Sequence, residues 1–315
     1  MRIHILTGHF YPQLHPRAFR ASELAIELAK RVNGEIICAD STTVYEGLDI
    51  GSAKVSKNEM QGIKHYLIDV ANIDENYDIT RFQKDATFAI NEIHSKGKIP
   101  ILVGGSGFYI QAVLYGIDFC TEDEAERKKV RNELMKIIEI NGKEKGSKIL
   151  FDELYKVDKK SCELIDKNNI KRVMRALEFY KLHKSPISKH NEVERQKEAK
   201  YDYLFYCLRL NRDKLYDNIN KRVDKMIADG LVDEIRSLIK AGASKNQDAM
   251  QSIGYKELFD YALQGSDDKN ELDKCVDLIK QHSRNYAKRQ LTWFKNKTNA
   301  RWIDMDKYLD DLSKL

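Results

Sequence analysis

The sequence predicts an α/β fold: a parallel sheet flanked by helices, with a second lobe built of helices alone. Three observations carry this expectation. Short apolar runs alternate with amphipathic stretches over the first 110 residues, the pattern of strand–helix–strand units that build parallel sheets. Between residues 121 and 200 the texture turns dense in Lys and Glu and poor in strand formers. A strand pattern then returns near Tyr203, and long helical patterns follow it.

In chain order, residues 2–7 read as a short strand and residues 23–31 as a helix with Leu24, Ile26 and Leu28 inward. Residues 35–39 (EIICA) form a short buried strand. Residues 80–96 place Phe82, Ala86, Ala89, Ile90 and Ile93 on one helical face. Residues 98–103 (KIPILV) are a second buried strand, left through Gly104 and Gly105 into a helix from Phe108. Within the Lys/Glu-rich stretch, residues 169–181 give a helix with Ile170, Val173, Leu177 and Tyr180 buried and Lys171, Arg175 and Glu178 on another face. Residues 203–210 (YLFYCLRL) read as a strand returning to the sheet, and residues 214–229, 231–241 and 273–295 as helices. The expected plan is therefore an α/β core from residues 1–120 and 200–315, interrupted by a helical insertion over residues 121–199.

Composition narrows the function classes. The chain is 42% hydrophobic with only four prolines, which fits a folded protein and argues against a long disordered segment. No apolar run approaches the ~18 residues of a membrane span. His9, His15, Arg17 and Arg20 follow the first apolar stretch at once, unlike a signal peptide. Cys38, Cys120, Cys162, Cys207 and Cys275 lie far apart with no C-x-x-C, which disfavours a disulfide framework or zinc module. The expectation is a cytoplasmic protein away from membranes. A net charge of +5 is modest for a chain that is 33% charged, so a polyanion would be held by local clusters.

Ligands of open parallel sheets bind beyond the carboxyl ends of strands. Two such ends carry polar signatures here, Asp40-Ser41-Thr42-Thr43 and Gly104-Gly105-Ser106-Gly107. Both also read as ordinary turn and cap chemistry. In the helix after residue 213, Leu215, Ile219, Val223 and Met226 point inward and leave Arg222 at the edge of that face, as a snorkelling arginine or a ligand contact. Further on, Arg284, Lys288 and Lys295 share a stripe joined by Arg289, Lys297 and Arg301, and no Asp or Glu occurs from Gln281 through Trp302. Such a run suits phosphate contacts, with Tyr286 and Trp293 placed to stack on a base.

From Glu23 onward the chain resembles the tRNA dimethylallyltransferases, also called tRNA isopentenyltransferases. The resemblance rests on ELAKRVNGEIICADSTTVYEGLDIGSAK, QGIKHYLIDV, GKIPILVGGSGFYIQAVLYG, IKRVMRALEFYKLHKSPIS, INKRVDKMIADGLVDEI, QSIGYKEL and NYAKRQLTWFK, in order and at matching spacing. It implies a P-loop-kinase-like sheet, a helical lobe that grips the anticodon stem-loop, and a monomer. The implied reaction moves a dimethylallyl group from dimethylallyl diphosphate to N6 of adenosine 37 in tRNA, with Mg²⁺. On the matched positions, Asp40 would be the base, Ser106 would stand for a threonine near the substrate, and Arg222 would bind the diphosphate together with Ser22. The implied tRNA contacts are Asp40, Ser41, Thr42, Thr43 and Ser106 at the strand ends. Arg127, Lys171, Arg172, Val173, Met174 and Arg175 follow in the insertion. Gln251, Ser252, Ile253, Gly254, Tyr255 and Lys256 come next. The last group is Lys288, Arg289, Gln290, Leu291, Thr292, Trp293, Phe294 and Lys295. Thr43 stands where the family usually has glutamine.

The front of the chain departs from the family. A phosphate-cradling G-x-x-x-x-G-K-[ST] loop is expected at residues 15–22 by ungapped counting. His15-Pro16-Arg17-Ala18-Phe19-Arg20-Ala21-Ser22 stands there, and only Ser22 matches. The first 30 residues instead resemble the opening of a two-lobed glycosyltransferase, and the two patterns meet in the ELAIELAKR helix. Two functions follow: a transferase in which Arg17, Arg20 and Ser22 replace the loop, or a catalytically impaired tRNA-binding protein. A glycosyltransferase lacks support from any later segment.

Overall fold

In the computed structural model, which describes residues 2–8, 21–120 and 123–307, six strands form one sheet and every strand pair is parallel. They are β1 (Arg2–Gly8), β2 (Gly34–Cys38), β3 (His65–Tyr66), β4 (Ile99–Val103), β5 (Asp202–Arg209) and β6 (Arg301–Asp304), in the spatial order β3-β2-β4-β1-β5-β6. Parallel strands need crossovers, and helices supply them. The chain leaving β1 runs through α1 (Ala21–Val32) to β2 on one side, while the chain leaving β4 returns as β5 on the other side of β1. Connections that diverge from neighbouring strands open a crevice at their carboxyl ends.

Both sheet faces are buried, which explains the continuous apolar character of these strands. Ile3, Ile5, Ile37, Leu102, Phe205 and Cys207 face one core. It is closed by α2 (Ile79–Ser95), α3 (Gly107–Tyr115), α9 (Leu231–Lys240), α10 (Tyr255–Gln264) and part of α11 (Lys269–Lys297). Leu6, Ile36, Ile101, Val103 and Leu208 face the other core, against α1. The helix α8 (Arg212–Ala228) follows β5 and packs along α11 through Leu215, Ile219 and Ala287.

The chain divides into two compact units. One joins the described residues up to Gly116 with those from Lys200 onward, and the other is Ile117–Ala199. The second unit contains α4 (Glu124–Val157), α5 (Lys159–Leu164), α6 (Ile170–His183) and α7 (Ile187–Arg195) around Leu134, Leu150, Leu154, Val173 and Leu177. Gly142 breaks α4 at φ 75° and ψ 162°, a conformation that favours glycine. The second half then runs close to the first, because a Cβ on Gly146 would lie 2.7 Å from Ile138 Cα.

The buried faces of α2 and α8 are those the helical spacing predicts. Two others differ. In α1 the small residues Ala21, Ala25 and Ala29 are buried with Ile26, while Leu24 and Leu28 are only half-buried, because the helix lies close to the sheet. In α6 Glu178 is buried and Tyr180 is half-buried. Arg131 explains this: its Nε and Nη2 donate to the Glu178 carboxylate at 2.6 and 3.0 Å, and a paired charge can be taken out of water. Among the described residues, no helix is long and apolar enough to cross a membrane.

Candidate active site

β2 and β4 run side by side with Cys38 opposite Val103, so the two polar strand ends emerge together. Their backbones interlock: Ala39 N–H donates to Val103 O at 2.7 Å and Ser106 N–H donates to Ala39 O at 3.2 Å. Gly104 is required by this approach, since a Cβ there would overlap the Ala39 carbonyl. Asp40 closes the next turn by accepting from Thr42 N–H at 2.8 Å. Thr43 is buried behind it, 3.2 Å from the Cys38 sulfur. Burial pushes the Cys38 thiol up to about 12, with the Asp40 charge adding to the effect.

Above these turns lies a cavity of about 580 Å³ within the sheet-bearing unit. Ser22 lines it from the first turn of α1, beside Asp40, Ser41, Thr42 and Thr43. Arg222, Val223 and Met226 line it from α8. Gln251, Ser252, Ile253, Gly254 and Lys256 reach it from the turn that opens α10, and Tyr286, Arg289 and Gln290 from α11. These residues come from five separate stretches of sequence, and all but Tyr286, Val223 and Met226 are residues the family resemblance implies.

α11 is fixed against the turn after β4. Gln290 Nε2 donates to Gly105 O at 3.0 Å, and a Cβ on Gly107 would overlap the Trp293 ring. The Tyr286 phenol interacts with Ser106 and Gln290, which fixes its hydroxyl end in the cavity wall. The residue is 38% exposed, yet burial of its hydroxyl end pushes the phenol up to about 12, with the nearby Asp40 charge in support. It is therefore neutral throughout the physiological range. His65, also in the wall, is shifted down by burial.

Sequence reasoning missed the support for the opposite wall. Glu234 on α9 accepts from Asp49, Ile50 and Gly51 N–H at 3.1, 2.7 and 3.3 Å, and from the Tyr255 hydroxyl at 2.7 Å. Lys54, nearly buried, bonds Tyr45 O and the carboxylates of Asp49 and Asp69 at 2.9, 2.7 and 2.5 Å. Together they hold Gly51, Ser52 and Ala53 against the cavity. The only sequence signal was their place inside a matching motif.

Several implied contact residues lie elsewhere. Ser106 stands at the N-cap position of α3, beside the cavity without lining it, and its side chain makes no capping hydrogen bond. Tyr255 is fully buried and Phe294 is 1% exposed, so neither offers a surface to RNA. Lys288, Thr292 and Lys295 are exposed, while Leu291 and Trp293 are half-buried. In the helical unit, Lys171, Arg172 and Arg175 are exposed and Arg127 is half-buried, but Val173 and Met174 belong to the core. Arg17 and Arg20 lie outside the described residues. β1 ends at Gly8, 14 positions before Ser22, whereas a G-x-x-x-x-G-K-[ST] loop spans seven. Residues 15–20, where the ungapped count sets most of that loop, lie outside the described residues.

Among the described residues, no three or more His, Cys, Asp or Glu side chains cluster as a metal site. The cavity wall instead offers oxygens of Ser22 and Asp40, hard donors of the kind Mg²⁺ shares with substrate phosphates.

A family model described as IPP transferase matches residues 43–297. A tRNA dimethylallyltransferase of Lachnoclostridium phytofermentans is 45% identical over 311 residues, 99% of this chain and 94% of that one. One of Acetivibrio thermocellus is 44% identical over 298 residues, 94% of this chain and 91% of that one. Among solved structures, a tRNA delta(2)-isopentenylpyrophosphate transferase of Staphylococcus epidermidis aligns with a TM-score of 0.66 at 38% identity, covering 99% of this chain and 97% of that one. A eukaryotic dimethylallyltransferase acting on tRNA aligns with a TM-score of 0.78 at 27% identity, covering 99% and 77%.

Proposed function

The chain belongs to the IPP transferase family of tRNA dimethylallyltransferases, and from that premise we propose that it moves a dimethylallyl group from dimethylallyl diphosphate to N6 of adenosine 37 in tRNA. The reading is supported above all by one cavity that holds a carboxylate, Asp40, together with Arg222 and the Ser22 end of α1.

The chemistry has three needs. The exocyclic amine of adenine is a weak nucleophile, because its lone pair is delocalised into the ring. Asp40 takes its proton as the N6–carbon bond forms and the carbon–oxygen bond to diphosphate breaks, the electron pair leaving with the diphosphate. That leaving charge needs neutralising. Arg222 provides a fixed cation, and the N-terminus of α1 adds the partial positive charge of its dipole. The Ser22 hydroxyl would help hold Mg²⁺, which would supply further charge neutralisation. Finally, the adenine must leave its stack to reach Asp40. Lys171, Arg172 and Arg175, exposed on α6, suit the phosphates of an anticodon stem. The enzyme acts as a monomer in the cytoplasm, where its tRNA substrate is found.

A second reading, a tRNA-binding protein with impaired transfer, is favoured by one observation: residues 15–22 carry neither loop glycines nor the loop lysine. Labelled dimethylallyl transfer to unmodified tRNA decides between them. Transfer at multiple turnovers supports the first reading; tight tRNA binding with no transfer supports the second.

A further inference from the structure

Phe108 stands out as an aromatic ring with no core to enter. It is the second residue of α3, directly after the Gly-rich turn, and is 63% exposed. Its ring lies 5.6 Å from that of Trp293 at a tilt of 57°. Trp293 in turn meets Phe294 edge-on at 5.1 Å, and Phe294 is anchored in the core against Phe205. The pair is thus a rigid step on the surface, backed by the sheet. Beside it runs a shallow concavity of about 520 Å³, lined by Lys288, Arg289, Trp293, Asn296 and Lys297 among others. Arg289 lines both this concavity and the deep cavity that holds Asp40, so the two adjoin.

An exposed aromatic step among cations, within a stretch free of acids, matches one kind of occupant. Aromatic faces stack on unpaired bases, and the surrounding charges suit the phosphates that join them. When one base is drawn into a deep pocket its neighbours lose a stacking partner, and a ring at the mouth replaces it. We propose that Phe108 and Trp293 form a stacking shelf for the nucleotide adjacent to the one that enters the cavity, with Lys288 and Lys297 holding its phosphate. The shelf rests on the reading of this chain as an enzyme acting on tRNA, and it deepens that reading by naming how the flanking base is held.

The test uses the full chain and an anticodon stem-loop RNA with 2-aminopurine next to the target adenosine. Phe108→Ala should weaken stem-loop binding by roughly 5- to 100-fold, the range for losing one base–aromatic stack. It should raise the KM for the stem-loop and not that for dimethylallyl diphosphate, and leave the melting temperature unchanged because the ring is exposed. Phe108→Tyr should restore binding, and 2-aminopurine fluorescence should be quenched by the parent but not by Phe108→Ala. A parent that binds the stem-loop while Phe108→Ala binds it equally, with the probe unquenched, would overturn the shelf alone. A parent that binds no stem-loop overturns the tRNA reading and the shelf with it. If Phe108→Ala instead shifts a dimer to a monomer in sedimentation, the step is an interface between copies and the proposal is wrong.

Discussion

Asp40 both closes the turn after β2, through Thr42 N–H at 2.8 Å, and lines the cavity, so asparagine there separates its two duties. Asparagine keeps a side-chain oxygen for the turn but cannot take a proton at neutral pH. Asp40→Asn is expected to keep stability within ~1 kcal/mol and to lower transfer ~10²–10⁴-fold. Thermal melts and a transfer assay check it, and a collapsed fold with transfer intact would make Asp40 a cap only. Tyr286 gives a second expectation. Its phenol is raised by burial from the ordinary value of 10 to about 12. A group raised in the folded state contributes stability that is complete below its unfolded value and lost as pH rises through its folded one. Denaturant melts should therefore show a loss between pH 10 and about 12 that is smaller in Tyr286→Phe. Below pH 10 the profiles of the two should run parallel, and an extra titration near neutrality in the parent would contradict the assignment. At this scale the sequence led to the cavity where a polar run follows a strand, as at Asp40. It was silent on the Tyr286 hydroxyl, because the partners of a phenol depend on where its helix docks.

Among the elements, α9 shows how a binding loop is held by something far away in the chain. The Glu234 carboxylate takes three backbone N–H groups of residues 49–51 and the Tyr255 hydroxyl, and a Cβ on Gly51 would lie 2.5 Å from the Tyr255 ring. Removing the carboxylate leaves several partly buried donors without an acceptor. Glu234→Ala should cost about 2–4 kcal/mol and weaken dimethylallyl diphosphate binding as the loop loosens, while Glu234→Gln should recover part of both. Chemical denaturation together with substrate titration reads the two effects, and a stable variant with unchanged binding would refute the coupling. No local pattern announces this contact, which spans more than 180 residues. Local patterns did reveal α2 and α8, whose apolar residues repeat at helical spacing over 17 residues each. They failed for β3, only two residues long, and for β6, four residues long after a basic run. Elements that short gain their identity from the neighbouring strand and not from their own residues.

For the whole molecule, the parallel sheet and the cavity beyond its strand ends follow from alternation and from the polar runs after two strands, while the front of the chain does not fit the motif its family leads one to expect. β1 occupies the place from which a phosphate loop would spring, between β4 and β5, and α1 brings Ser22 to the cavity. The intervening residues carry His15 and Arg20 where the motif carries its two glycines, and Ala21 where it carries its lysine. Glycines let backbone N–H groups close on a phosphate, and a loop lysine adds a charged donor. Each hydrogen bond to a charged group is worth ~1.5–3 kcal/mol, so two missing contacts correspond to ~10²–10⁴-fold in rate. Replacing residues 9–22 by a G-x-x-x-x-G-K-T loop of the shorter span, with β1 and everything from Glu23 onward kept, should restore those contacts. If the parent lacks a cradle, transfer should rise by at least ~10²-fold. Binding of tRNA should change little, because Lys171, Arg172, Arg175, Lys288 and Lys297 are untouched. Transfer that is already fast in the parent and does not rise would mean that Arg17, Arg20 and Ser22 hold the diphosphate by side-chain charge, a different solution to the same electrostatic demand. The salt dependence of diphosphate binding then distinguishes the two cradles. Exposed arginines lose their hold as ionic strength rises, and a ring of backbone N–H groups much less so.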